Sequence, residues 1–548
     1  MKFRAKRKMG LLLTMALMLS SAVACSNNGK GANEPSPSAP TNSQQSSAPS
    51  ETKGEEASTY PLQSDAVLTY WAPLNANLTS LKSNYGEVPF YQELQKRTGV
   101  KLEFTNPPVG QEQETFNVLL ASGQLPDMME WDWRMFPGGP EKAIDDGYIL
   151  ALNELIDQYA PNLKKYLAEH PEVDKQIKSD SGKYYAFPFI RGDDSLKVYQ
   201  GPIIRKDWLD ELGLPVPVTI EDWHKTLTAF KEKKGATSPL SMYSFLFTNG
   251  AFVGAWGVTQ GFYLENGQVK YGPMEQGYKE FLTTMRQWYK EGLLDKNFAT
   301  LDGKALDANI TTGGSGATVM NAGSGIGKWL EPLKKNAPNA ELVAAPYPVL
   351  KAGDKPKFGQ KDFSYASANS VAINAKSKNA VLAVQMLDYG YSEEGHTFFN
   401  FGNENESHTL VNGEPAYTDL IMKNPDQLAT AQAISMYTHA NHNGPFVQDK
   451  LYIQQFYTLP QQKDAIHIWQ TDAEKYMLPP ISPTQSESAE FAAIMNDVNT
   501  LVSETSLKMM MGAESIDSFD RLVEQLKSLK IDRAIEIQSE ALTRYQMR

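Results

Sequence analysis

The chain has 548 residues, of which 41% are hydrophobic and 21% charged, and a formal net charge of -12. This length exceeds one ordinary hydrophobic core and predicts two or more lobes. The acidic excess argues against nucleic-acid binding, which needs basic patches. The single cysteine, Cys25, excludes a disulfide framework and a cysteine metal site within the chain.

The amino-terminal residues have the pattern of an export signal. Met1–Met9 is basic, and Leu11–Val23 is an apolar run, shorter than the roughly 20 residues that span a bilayer. A basic segment followed by a short apolar segment predicts a secretory signal peptide over residues 1–24.

The end of this signal, Ala22-Val23-Ala24-Cys25, resembles a bacterial lipobox. In that pattern the cysteine is acylated and becomes the mature amino terminus, so Cys25 is the predicted lipidation site. Ordinary cleavage after Ala24 is the alternative. Ser26–Thr59 contains no Val, Ile, Leu, Met or aromatic residue. Residues 25–62 are therefore predicted to be a lipidated cysteine followed by a disordered linker.

An alternation of strands and helices opens the folded part. The pattern predicts strands at Ala66–Trp71, Val100–Phe104 and Asp127–Glu130, with helices from Pro89 to Gly99 and over Thr115–Ala121 between them. Strand–helix–strand repeats form parallel sheets with right-handed crossovers. The fold class is therefore predicted to be α/β.

Polar and aromatic residues follow the third of these strands. Trp131, Asp132, Trp133 and Arg134 stand where it runs out into a loop, and ligands bind beyond the carboxyl ends of strands in open α/β sheets. Indole faces pack on sugar rings, and Asp and Arg form charge-assisted hydrogen bonds to hydroxyls. A sugar-binding surface is one interpretation, and two core tryptophans are the other.

The remaining chain shows further elements. An extended run is predicted at Tyr184–Pro188, a strand at Val198–Arg205 and a loop at Gly250–Gly261. Thr219 and Asp222 have the spacing of a capping box. Apolar residues at helical spacing predict helices at Ile149–Tyr159, Trp208–Leu212, Ile220–Phe230, Tyr278–Tyr289, Asn379–Gly390, Glu393–Asn400, Phe519–Leu529 and Ile531–Leu542.

Six short segments carry a resemblance to a known family. They are Lys96–Leu102, Ser122–Asp127, Asp180–Pro188, Ile204–Leu209, Trp288–Leu294 and Ala375–Asn379. In this order and with these gaps, the chain from about Ala66 onward resembles the extracellular solute-binding proteins of family 1. These are lipoproteins that deliver sugars to ABC importers in Gram-positive bacteria. The resemblance is to the large oligosaccharide-binding type common in Paenibacillus-like bacteria.

The resemblance implies a two-lobed periplasmic-binding-protein-like fold of type II, with a ligand cleft between the lobes. Lobe I is expected to comprise residues 63–188 and 364–412, and lobe II residues 189–363 and 413–548. The chain is expected to cross between the lobes near Phe187–Lys197, Lys355–Ser364 and Thr409–Pro415.

The resemblance also implies which residues contact the ligand. The loop after the third strand contributes Trp131, Asp132, Trp133 and Arg134, and the loop after the first contributes Trp71 and Asn75. Tyr199 lies beyond the first crossing, and Trp256 lies in the Gly-rich loop. Tyr365 and Trp469 are further candidates, for which a packed ring is an equal alternative. No cofactor, metal or catalytic residue is expected.

The implied function is capture of an oligosaccharide and its delivery to the permease subunits of an ABC importer. We expect a monomer, not an enzyme, held by its lipid on the extracellular face of the cell membrane. Two alternatives stay open. One is a lipoprotein glycoside hydrolase or lyase using Glu130 and Asp132, since hydrolysis needs two carboxylates close together. The other is a protein that binds a peptide or another solute, or that serves a sensor.

Two other segments match a known motif only in part. Gly323–Trp329 resembles a phosphate-binding loop but lacks its first glycine and its closing Ser or Thr. His439 and His442 have the spacing of a zinc-ligand pair without a recognisable third ligand. Neither motif therefore predicts a nucleotide or metal site.

Overall fold

The computed structural model describes residues 59–247, 250–365 and 369–548. The signal peptide at 1–24, the lipidation site Cys25 and the linker as far as residue 58 lie outside these residues, so the predictions for them stay predictions. In the described part of the chain, no helix is long and apolar enough to cross a membrane.

Strands and α-helices alternate through the described residues. The strands are β1 (Val67–Trp71), β2 (Lys101–Thr105), β3 (Met128–Trp131), β4 (Phe189–Arg191), β5 (Gln200–Arg205), β6 (Phe262–Glu265), β7 (Gln268–Tyr271), β8 (Ala317–Asn321), β9 (Leu342–Ala344), β10 (Ser370–Ile373), β11 (His408–Val411), β12 (Glu414–Tyr417) and β13 (Phe446–Gln448). The helices are α1 (Pro89–Thr98), α2 (Glu112–Ser122), α3 (Gly139–Asp145), α4 (Asn153–Tyr159), α5 (Pro161–Glu169), α6 (Pro171–Ile177), α7 (Lys206–Leu212), α8 (Ile220–Lys234), α9 (Gln276–Glu291), α10 (Gly303–Thr311), α11 (Lys328–Asn336), α12 (Ala380–Asp388), α13 (Glu393–Phe401), α14 (Asp419–Met422), α15 (Thr430–Tyr437), α16 (Lys450–Phe456), α17 (Pro460–Ile468), α18 (Gln485–Met510), α19 (Phe519–Ser528) and α20 (Ile531–Met547).

The first sheet has the strand order β10-β3-β1-β2. β1 pairs in parallel with β2 and β3, and β10 is antiparallel to β3. The two connecting helices end at Gly99 and Gly123, whose φ angles of 74° and 65° are left-handed, a conformation that glycine adopts at low cost. The predicted parallel β-α-β-α-β start is confirmed.

The second sheet has the order β8-β5-β9, with β5 antiparallel to both neighbours. The Thr219 and Asp222 capping box opens α8 as predicted. The stripe on α9, comprising Tyr278, Phe281, Leu282, Met285 and Trp288, is buried. Both features therefore serve the core of this second half.

Buried apolar residues form two large cores, which mark two lobes. One core surrounds the first sheet and the other surrounds the second. Along the chain, residues pass from the first core to the second between Ile190 and Val198, and back between Phe358 and Tyr365. The predicted crossings near Phe187–Lys197 and Lys355–Ser364 fall in these parts of the chain, and the lobe boundaries stay predictions.

The third crossing differs from the prediction, which placed it near Thr409–Pro415 and assigned everything after residue 412 to lobe II. In the structure Met436, Phe446 and Val447 still pack in the first core, and Tyr457 is in the second. A small core formed by Phe401, Tyr417, Ile434 and others lies between. The chain therefore returns to lobe II only after β13.

Two local predictions also change. The helix predicted at Ile149–Tyr159 starts at Asn153, because Ile149 and Leu150 are extended and pair with the edge of β10 through the Leu150 N–H to Ile373 carbonyl bond of 2.9 Å. The Gly-rich loop contains a short 3-10 helix over Val253–Trp256.

Candidate functional site

An aromatic cluster lies at the carboxyl ends of β1 and β3. The Trp71 ring meets the Trp131 ring edge-on at 5.8 Å, and Phe116 of α2 stacks on Trp131 at 4.9 Å. Trp133 contacts the same Phe116 ring at 5.5 Å. The structure thus brings together three tryptophans that the sequence predicted to be near one another.

Burial separates the roles of these tryptophans. Trp71 and Trp133 are each 1% exposed, and Trp131 is 8% exposed. This burial argues against the prediction that Trp71 and Trp133 contact the ligand. Phe116 and other core residues pack against both rings, so the two tryptophans support the site from behind. None of the three indole N–H groups has a hydrogen-bond partner among the described residues, and each unmade bond costs about 1–3 kcal/mol.

Asp132 and Arg134 form a charged fork beside the cluster. The Arg134 Nε donates to Asp132 Oδ1 at 3.0 Å and a terminal nitrogen donates to Oδ2 at 2.7 Å. The same Oδ1 accepts the Arg134 backbone N–H and begins the 3-10 helix Trp133–Met135. Both side chains keep solvent exposure, so the remaining guanidinium N–H groups can donate to a ligand hydroxyl.

Tyr365 and Asn75 are positioned close to this region but are occupied. The Tyr365 hydroxyl lies 2.9 Å from the Tyr185 hydroxyl and 3.1 Å from Ser370 Oγ, and its ring is buried. The Asn75 Nδ2 donates to the Asn441 carbonyl at 3.0 Å, and its Oδ1 caps Asn77. Both side chains hold the walls in place, and the buried Tyr365 ring fits the packed-ring alternative that the sequence left open.

A cavity of about 260 Å³ lies where the chain crosses between the lobes. Its walls come from β4, β13, the segment after β4, the loop 441–443 and α16. Its lining includes Arg191, Tyr199, His442, Gln448, Tyr452 and Tyr457. Tyr199 therefore lines a cavity between the lobes, in the kind of place where the sequence predicted a ligand contact.

Most of this cavity was missed by reading the sequence. Tyr452 and Tyr457 lie on and just after α16, which follows the third crossing, and that crossing was predicted some 30 residues too early. Arg191 lies within the predicted first crossing, near Phe187–Lys197, and carries no other signal in the sequence. The spacing of two tyrosines five residues apart is the one local signal, and alone it is too common to predict a site.

Trp469 and Trp256 do not join either group. Trp469 is fully buried in the second core, where its Nε1 donates to the carbonyls of Pro202 and Ala345 at 3.2 and 3.1 Å. The prediction of Trp469 as a ligand contact is therefore corrected: it is a core residue. Trp256 is partly exposed and packs edge-on against Phe281 of α9 at 5.7 Å.

The carboxylates considered for hydrolysis are poorly placed for it. Glu130 is buried and accepts a 2.8 Å hydrogen bond from the Tyr70 hydroxyl. Burial raises the pKa of Glu130 to about 7, while the Tyr70 bond opposes that rise. Asp132 is engaged by Arg134. Because Glu130 is buried and Asp132 is ion-paired, they do not form the accessible pair of carboxylates that glycoside hydrolysis needs.

The two histidines of the proposed zinc pattern are neutral core groups. Their rings lie 4.5 Å apart, and burial lowers the pKa of both, that of His439 to about 3. The His439 Nε2 lies 2.5 Å from the Asn443 carbonyl. Within the described residues, no group of three or more His, Cys, Asp or Glu side chains is placed to hold a metal ion.

Comparison with known proteins supports a binding protein. A family model described as bacterial extracellular solute-binding protein matches residues 80–397. The fructooligosaccharide ABC transporter substrate-binding protein FusA of Streptococcus pneumoniae is 30% identical over 318 residues, which cover 54% of each chain. Lipoprotein LipO of Bacillus subtilis is 23% identical over 66% of this chain and 72% of its own length. The chain thus spans about half the length of FusA.

Solved structures show the same architecture. The alginate-binding protein AlgQ2, in a structure without calcium ion, superposes with a TM-score of 0.69 at 26% identity, over 89% of this chain and all of AlgQ2. The predicted α/β, two-lobed binding-protein fold is confirmed. The matching family and the compared proteins are substrate-binding proteins rather than enzymes, as we expected.

Proposed function

Because the chain belongs to the bacterial extracellular solute-binding proteins, we propose that it captures an oligosaccharide between its lobes and delivers it to an ABC import permease. The observation that carries this proposal is the partly exposed Asp132 and Arg134 fork beside Trp131, at the carboxyl end of β3. It combines an aromatic ring with charge-assisted donors and acceptors, which suits a hydroxyl-rich ligand. The names of FusA and AlgQ2, which refer to fructooligosaccharide and alginate, support the same ligand class.

The proposed ligand contacts are Trp131, Asp132, Arg134, Tyr199 and Trp256. Trp71, Trp133, Asn75 and Tyr365 hold these walls from behind. A ligand that touches both lobes favours the closed state by its differential affinity for that state. Closure would then present the paired lobes to the permease.

A thermal-shift panel of neutral and acidic oligosaccharides tests this proposal. Ligand at 100 times its Kd stabilises the folded state by about 2.7 kcal/mol, so the transition temperature should rise with at least one glycan. A panel without any shift would contradict a sugar ligand, and shortened products after incubation would indicate the hydrolase alternative.

One variant links the shift to the fork. Arg134→Met removes donors whose charge-assisted bonds contribute about 1.5–3 kcal/mol each, so the affinity for the same glycan should fall at least tenfold. Arg521→Met is the matched control, because its guanidinium pairs with Glu514 on the exposed surface of α19. Equal losses in both variants would remove the fork from the binding site.

We also propose that the protein is a monomer anchored through acylated Cys25 on the extracellular face of the cell membrane. The lipobox and the lipoprotein relative LipO support the anchor, and more than one acyl chain gives stable attachment. Cells labelled with a palmitate analogue should show label on the wild type and none on Cys25→Ser, which should appear in the medium. Label retained on the variant would contradict the anchor.

A further inference from the structure

The hinge cavity is lined by uncharged donors and by one guanidinium whose charge is already compensated. Arg191 at the end of β4 pairs with Asp362 of the second crossing, with 2.8 Å between a terminal nitrogen and Oδ2. The Arg191 backbone N–H also donates to the Ser364 carbonyl at 2.8 Å. The two crossing segments thus bring this ion pair to the cavity as a built feature.

Aromatic rings and hydroxyls surround the same guanidinium. It lies 5.7 Å from the Tyr199 ring centroid and 5.6 Å from that of Phe189. Tyr452 and Tyr457 also line the cavity. Burial raises the pKa of both phenols, that of Tyr457 to about 12, so they remain neutral donors at physiological pH.

Two further polar groups at the cavity are incompletely hydrogen-bonded. Neither ring nitrogen of His442 makes a hydrogen bond of good geometry with a described residue, although the Ser435 backbone interacts with the ring, and the Arg191 Nε is unpaired. His442 is buried beside His439, and burial lowers its pKa well below the usual value. A neutral imidazole carries one donor and one acceptor. A hydroxyl can use both, whereas a carboxylate can use only the donor.

Three lysines in or near the crossing segments are paired as well. Lys197 contacts Asp194 at 2.8 Å, Lys450 contacts Asp193 at 3.6 Å, and Lys361 contacts Glu474 at 3.5 Å. Among the residues that line the cavity, Arg191 is the one cation, and Asp362 already pairs with it. A bound carboxylate would therefore meet no cation free of an acid to offset its desolvation. A neutral sugar carries no such cost and can bond to the tyrosine hydroxyls.

From this arrangement we infer that the hinge cavity is a subsite for an uncharged sugar unit, and that Asp362 sets this preference by neutralising Arg191. The inference rests on the proposed function and narrows its ligand class. Relatives do not decide the matter, since fructooligosaccharides are neutral and alginate is anionic. A volume of about 260 Å³ is below the roughly 300–1,000 Å³ of whole ligand sites, which suits one end of an oligosaccharide.

Calorimetric titration of the purified protein tests the inference. The neutral ligands are fructo-, raffinose-type and cello-oligosaccharides, and the acidic ligands are oligogalacturonate and oligoalginate of equal length. The wild type should bind a neutral compound at least tenfold more tightly than any oligouronide. Preference for an oligouronide would overturn the inference and leave the proposed function standing. Binding of neither class would overturn both.

Asp362→Asn gives the sharper test, because it leaves the Arg191 charge unpaired in the cavity. Oligouronide affinity should rise about tenfold, and the double variant R191Q/D362N should lose that gain. Asp210→Asn, which removes an exposed acid paired with Lys206 on α7, is the control for a general change in net charge. An Asp362→Asn protein that folds but shows no gain, or a double variant that keeps it, would overturn the role of Asp362.

Discussion

Trp469→Ala should lower the free energy of unfolding of the second lobe by about 3–5 kcal/mol, the usual range for a fully buried Trp. A side chain added at Gly201 would come within 2.5 Å of the Trp469 ring, so the indole lies flush against β5 and the backbone has little room to collapse. The indole N–H also bonds the carbonyls of Pro202 and Ala345. Urea unfolding followed by far-UV circular dichroism measures the loss.

Trp256→Ala is the control for this experiment. Its ring is partly exposed and packs edge-on against Phe281, so its loss should cost far less than that of Trp469. Glycan binding by folded Trp469→Ala should stay close to that of the wild type. A variant with unchanged stability and abolished binding would restore Trp469 to the site and contradict its assignment to the core.

Trp469 also shows where sequence reasoning stops. The side chain could be a ligand contact or a core residue, and no neighbour in the sequence decides between them. The deciding partner is Gly201, a residue on a distant strand whose missing side chain makes room for the ring. Such complementarity exists only once β5 and the segment after α17 are packed together.

Local signals succeeded where local physics determines the outcome. Three such signals act within one or two helical turns. They are the glycines after α1 and α2 (Gly99 and Gly123), the capping box before α8 and the apolar stripe on α9. They located the elements of both cores, and strand alternation gave the parallel half of the first sheet. The same reasoning placed Trp71, Trp131 and Trp133 together, because carboxyl ends of parallel strands meet at one edge.

The prediction of the third crossing failed because that crossing depends on contacts between distant parts of the chain. The segment from β12 to β13 stays with lobe I through long-range contacts: the His439 ring stacks on Phe90 of α1 at 5.0 Å and meets Phe399 of α13 at 5.3 Å. No periodicity in 413–448 shows those partners. For the same reason, the sequence did not identify Tyr452 and Tyr457 as site residues. The cavity wall that they form depends on where the chain returns to lobe II.

Asp180→Asn should lower the free energy of unfolding by about 3 kcal/mol, at the lower end of the cost of breaking a buried ion pair. Asp180 lies in a turn of lobe I and binds Arg544 of α20 and Arg548, the residue after that helix. Ile531 and Ala534 of α20 pack in the second core. Arg544 Nε donates to Asp180 Oδ2 at 2.6 Å, and Arg548, 2% exposed, donates to Oδ1. Arg544 keeps Glu487 as a second partner, which moderates the loss of stability. In the described residues, Asp180 is the only acid among the hydrogen-bond partners of Arg548.

Because this contact joins the two lobes, the substitution should also loosen them. Hydrogen exchange at the end of α20 and in the 178–184 turn should speed up together, and the radius of gyration without ligand should rise in small-angle scattering. Asp157→Asn breaks the more exposed pair with Lys164 inside lobe I, where surface pairs contribute about 0–1 kcal/mol. If Asp180→Asn matched this control in stability and exchange, the two arginines would be ordinary surface contacts. If stability fell while the exchange of the two segments stayed independent, the contact would stabilise α20 without tying the lobes to each other.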